Sequence, residues 1–260
     1  MDATGNNRSE NPQQNANGLP ARVADVVGEV SASAEKPSQS RSAGLVARLA
    51  LARVTRGVRF AGRRIHSGSH WLAAEVLAMA PRLPVRDQAA LRAQFPGRSP
   101  EDIADALIEG ASRASAAVGA TVGAWSVLPV APVFPAEIVT ETLTLVGIEI
   151  KLIAELHEVY GMRPPGDFAS RMAAFVGAWT RRRGATLTPS GVVFAIGSPL
   201  GRRLRRRLVM RATRSAVSLG PLLTGAAAGA LINSRETRRL GNDIREDLRR
   251  RSPIATHWPD

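Results

Sequence analysis

SPEDIADALIEGASRASAAVGATVG, residues 99–123, sets the fold class of this chain. Its first residues are a helix start. The Ser99 hydroxyl can accept from the free amides of a first turn, Pro100 suits that turn, and Glu101 and Asp102 face the positive end of the helix dipole. The spacing predicts a helix from here towards Leu128, where Pro129, Pro132 and Pro135 break it. Inside it Gly119 and Gly123 stand four apart, with Ala111 and Ser115 extending the stripe backwards. Glycine in a helix costs on the order of 1 kcal/mol relative to alanine. A stripe of small residues therefore predicts that another backbone comes close.

The same arrangement recurs downstream. Gly225 and Gly229 are four apart, with Pro221 before and Asn233 after at the same step, and Gly197 and Gly201 form a third pair. Gly119, Gly123, Gly225, Gly229 and Asn233 are the expected helix-packing residues. Helices are also predicted over 44–66, 70–79, 85–95, 135–160, 167–183, 199–218, 221–233 and 234–251. Only 191–196 has strand character. The expectation is an all-α, multi-helix bundle with small-residue hairpins.

Residues 1–42 are rich in Asn, Gln, Ser, Pro and Gly, with a brief apolar patch near Val23–Val30, and read as a disordered tail. The remainder divides into a basic amphipathic region over 43–98, a helical domain over 99–251 and a short tail over 252–260.

The formal charge is +13, and only Lys36 and Lys151 among its cations are lysine. Such an excess attracts polyanions, either anionic lipid headgroups or nucleic acid. Cysteine is absent, which excludes disulfides, thiol nucleophiles and thiolate metal sites. The first residues lack the basic and apolar blocks of a secretion signal, which sets an expectation of the cytoplasmic side.

Three runs carry no charge: the 23 residues Ala114–Ala136, the 18 of Gly184–Gly201 and the 20 of Ser215–Ser234. About 20 apolar residues span a bilayer core, but proline interrupts each run and Ala, Gly, Ser and Thr dilute it. Spanning, peripheral and core-buried placements stay open. Arginine clusters flank the runs at 181–183, at Arg202, Arg203, Arg205, Arg206, Arg207, Arg211 and Arg214, and at 249–251. Leu200, Leu204, Leu208 and Ala212 form a thin apolar stripe within the middle cluster, the pattern of a helix lying on anionic lipid. A solvated face is the bland alternative. Nucleic acid is a third reading, without the interleaved aromatics of a stacking platform.

Signatures of chemistry are missing. No two glycines are separated by one residue, and there is neither a phosphate-binding Gly-Lys-Ser/Thr loop nor a Gly-x-Ser-x-Gly elbow. His66 and His70 stand four apart with Glu75 nearby, which suits a metal on a continuous helix, but Gly68 weakens that helix and the usual third-ligand spacing is missing, so neither metal nor cofactor is expected. On the helix over 135–160, Glu137, Glu141, Glu155 and Glu158 share a face with Lys151, opposite Leu145, Leu152 and Leu156. Glu149 falls towards the apolar side, where a structural pair with arginine is favoured over a catalytic role for it or for His157.

Residues 99–251 resemble the EcsC family of bacterial proteins. The resemblance rests on the small-residue helix leading to Pro129 and Pro132, the helix ending at Tyr160-Gly161, and the run from Pro221 through Gly225 and Gly229 to Asn233, followed by Leu240-Gly241. It implies an α-helical domain in a membrane-associated accessory role linked to an ABC transporter, and the arginine clusters add an anionic membrane surface or a membrane protein as the expected partner. It supplies no catalytic residues.

Overall fold

A computed structural model describes residues 12–35, 44–52, 68–125, 134–183, 185–188, 191–194 and 221–252. The helices are α1 (Pro12–Glu35), α2 (44–52), α3 (Gly68–Met79), α4 (Gln88–Gln94), α5 (Pro100–Trp125), α6 (Phe134–Val159), α7 (Phe168–Arg183) and α8 (Pro221–Arg251), with a 3₁₀ turn over Ala80–Arg82. The fold is all-α. One short antiparallel ladder joins β1 (Ala185–Thr188) to β2 (Gly191–Phe194), with Ala185 opposite Phe194. The all-α expectation includes no strand at 191–196; Gly191–Phe194 nevertheless forms one because residues 185–188 supply a partner for it.

Local chemistry accounts for the helix ends. The Ser99 hydroxyl accepts from the Asp102 amide at 3.2 Å and donates to the Asp102 carboxylate at 2.7 Å, closing a reciprocal cap. Asp87 and Asp167 cap α4 and α7, accepting from the Ala90 and Ser170 amides at 2.8 Å each. Gly161 ends α6 at φ 64°, a left-handed conformation that glycine adopts without strain, while the Met162 amide reaches back to the His157 carbonyl.

α6 lies at the centre. Every residue from Thr140 to Leu156 is buried, so its acidic face is enclosed by neighbours instead of facing water. α5 and α8 form the most extensive helix pair, α1 packs on both α5 and α6, and α7 flanks α6.

Several expectations are corrected. Residues 12–35, read as part of a disordered tail over 1–42, form α1. Leu19, Val23, Val26, Val27, Val30 and Ala34 make a helical stripe that enters the core, and a methyl on Gly147 of α6 would lie 2.6 Å from Val27 Cγ2. One apolar cluster runs from Leu19 to Leu248, crossing the boundaries drawn at 42 and 98. The helices drawn over 221–233 and 234–251 are one, since buried Asn233 and Thr237 hold the junction inside the body. The helix expected over 199–218 lies outside the described residues, as do 1–11 and 53–67.

Candidate functional site

The small-residue stripes of α5 and α8 meet. A methyl group on Gly119 would lie 2.7 Å from the Gly229 carbonyl oxygen and 2.5 Å from Asn233 Nδ2. One on Gly229 would lie 2.8 Å from the Gly119 carbonyl oxygen. The two backbones therefore cross in direct contact, with Asn233 fully buried beside them. Gly123 and Gly225 belong to the same two helices, but their surroundings lie outside the described residues. So do Arg202, Arg203, Arg205, Arg206, Arg207 and Arg211.

One turn along the bundle from Gly119 and Asn233 is a buried polar centre. Glu149, 2% exposed, accepts from Trp179 Nε1 at 2.7 Å and from Arg183 Nε at 3.1 Å, with a second Arg183 nitrogen on its other oxygen. Thr237 Oγ1 donates to Glu149 at 3.3 Å and to Ser115 Oγ at 2.8 Å as alternatives for its one proton. Arg183 also reaches Glu236 at 2.9 Å. Burial pulls the Arg183 guanidinium down, but Glu149 and then Glu236 outweigh it and raise it above its ordinary value. This centre ties α5, α6, α7 and α8 together, with every member committed to a structural partner.

A second centre joins the front of the chain to α6. Arg86 donates to Glu155 through Nε at 2.8 Å and through a terminal nitrogen at 2.7 Å, to Glu35 at 2.6 and 2.8 Å, and to Gln94 at 2.6 Å. Lys151 pairs with Glu155 from one turn earlier. Burial pushes the Glu155 carboxyl up, yet Lys151 and Arg86 hold it below the usual carboxylate range. The recruitment of Arg86 and Glu35 was not legible in the sequence, because both come from segments remote from α6.

Glu149 and His157 are not brought together as an acid–base pair. Glu149 and His157 lie eight residues apart on α6, about 12 Å of helical rise. The His157 ring nitrogen Nδ1 sits 2.7 Å from the Ile153 carbonyl oxygen, so this nitrogen carries the proton. Burial pulls the ring below its ordinary pKa, keeping it neutral. Among the described residues no group of three His, Asp or Glu could hold a metal ion. No described helix is long and apolar enough to cross a membrane.

The outer arginine clusters separate into two kinds. Arg183, read as part of a cluster flanking an uncharged run, is a core residue because Glu149 awaits it. Arg182 pairs with Asp247, which also takes Arg250 at 2.8 Å, Arg249 lies 3.6 Å from Glu246, and Arg238 and Arg245 pair with Glu109 and Asp105 of α5. Across the described residues 20 Arg and Lys meet 19 Asp and Glu, a charge of +1. The other +12 of the chain's +13 belongs to the rest, with 15 cations against three acids. Residues 53–64 and 202–214 hold five and seven of those arginines and no acid.

Compared with models of protein families, with curated proteins and with solved structures, the chain matches none.

Proposed function

We propose that this chain is a helical accessory protein that docks peripherally on an anionic membrane surface, or beside a membrane protein there, on the cytoplasmic side. The observation that carries the reading is the segregation of charge. The described helical body is nearly balanced in charge, with 20 cations and 19 acids, whereas 53–64 and 202–214 carry twelve arginines and no acid. Arginine-dense segments without acids attract external polyanions, and each arginine near an anionic leaflet contributes roughly 1 kcal/mol. The resemblance to EcsC proteins agrees with a membrane-side accessory role, and the committed partners of Glu149 and His157 support binding in place of catalysis.

Flotation of the full chain with vesicles tests this. The protein should rise with vesicles containing phosphatidylglycerol at low salt, stay down with purely zwitterionic vesicles, and be released as salt is raised. A chain that stays at the bottom with anionic vesicles at low salt overturns the proposal. If it then retards duplex DNA or RNA with a steep salt dependence, the same arginines serve nucleic acid instead.

A further inference from the structure

A cleft of about 450 Å³ opens where the end of α6, the following connection and α7 face the segment leading into α4. That volume lies within the range of small-molecule sites. One wall is apolar: Met172 and Phe175 are buried in the core behind it, and Phe168, in the first turn of α7, leaves 41% of its surface exposed at the lip. An aromatic half in water beside a concave apolar wall is surface that an apolar ligand would cover.

The charges around the wall have unequal commitments. Arg86 spends its guanidinium on Glu155, Glu35 and Gln94. Glu158 is held by Arg163, which grips both of its oxygens through Nε and one terminal nitrogen. Asp87 is engaged in capping α4. Arg171 differs. Its guanidinium makes no hydrogen bond or ion pair among the described residues, and Asp167, whose carboxyl it helps to hold low, is occupied in capping α7. Arg163 is half exposed and retains a terminal nitrogen not spent on Glu158. After the internal pairs are subtracted, the wall offers cationic donors next to an apolar surface.

We propose that this cleft binds a small amphipathic anion, a carboxylate or phosphate carried on a short aliphatic chain or an aromatic ring. Arg171, with the free edge of Arg163, receives the anion, and Phe168, Met172 and Phe175 cover the apolar body. None of its lining residues belongs to 53–64 or 202–214, and its test reads small-anion binding, so it stands or falls independently of membrane docking.

Calorimetric titration of the full chain with octanoate, phenylpropanoate and octanol tests it. Octanoate or phenylpropanoate should bind saturably, and octanol, the neutral counterpart, about tenfold more weakly. A stronger response to octanoate marks an acyl chain as the natural body; a stronger response to phenylpropanoate marks an aromatic acid. Arg171→Gln should weaken the preferred anion about tenfold and leave octanol unchanged, while Phe168→Ala should weaken both, with far-UV circular dichroism unaltered in each variant. Absence of saturable binding by either anion at millimolar concentration overturns the proposal. So does octanol binding as tightly as octanoate, or anion binding that survives Arg171→Gln.

Discussion

Arginine does two different things in this protein, and the contrast lies between its helical body and its two acid-free segments. In the body, Arg183 and Arg86 are enclosed by carboxylates from distant helices, and the exposed arginines of α8 lean on Asp105, Glu109, Glu246 and Asp247. In 53–64 and 202–214 the same residue type recurs with no acid within either segment. Composition alone merges the two populations into one basic protein. Separating them shows that the body is close to neutral and that the excess has an address.

The largest expected effect comes from breaking the body's inner pairing. Arg183→Met takes both guanidinium donors away from the buried Glu149 carboxylate, and removal of one partner from a buried pair costs about 3–5 kcal/mol. The double substitution Glu149→Leu with Arg183→Met should recover most of that loss, because apolar replacement of both partners is often neutral. Urea unfolding midpoints of the two variants measure the difference. Recovery in the double variant would show that the pair specifies geometry and adds little net stability.

Next comes the helix crossing. Gly119→Ala places a methyl against the Gly229 carbonyl and should cost about 1–3 kcal/mol by forcing α5 and α8 apart. Thermal unfolding checks it, and an unchanged midpoint would mean that the two backbones do not touch.

Glu75 sharpens the comparison from the other side, as a body carboxylate with no cation partner among the described residues. It is buried, its Oε2 has no hydrogen-bond partner, and burial pushes its pKa up to about 7. A folded-state pKa above the unfolded one means that its contribution is complete below the ordinary carboxylate range. That contribution is lost as pH rises through about 7. Glu75→Gln should therefore flatten the fall in stability between pH 5 and pH 8, an effect on the order of 1–2 kcal/mol. Denaturant titrations at the two pH values measure it. The smallest effect belongs to Arg238→Ala, which removes an exposed pair with Glu109 and should cost less than about 1 kcal/mol.

Much of the fold was legible in local signals. The Ser99 cap, the proline stops and the Gly161 terminus are short-range chemistry and needed no partner to be read. The errors came where distant partners decide. α1 looked like a tail because its polar composition conceals a six-residue apolar stripe, and that stripe has meaning only once α5 and α6 offer a surface. Asn233 and Ser234 looked like a helix break until burial at Asn233 and Thr237 carried α8 through. Likewise, Glu149 announced a need for a cation through its place on an apolar face, but nothing local identified Arg183 as the supplier.

The central claim is that the protein's affinity for polyanions resides in the acid-free segments and not in the body. Two variants with equal loss of charge test it: Arg202, Arg203 and Arg205 to Gln in one, and Arg238, Arg245 and Arg249 to Gln in the other. Vesicle binding at low salt should fall on the order of 100-fold in the first and less than about tenfold in the second, with the same helical content in both. Equal weakening in the two folded variants would contradict the account.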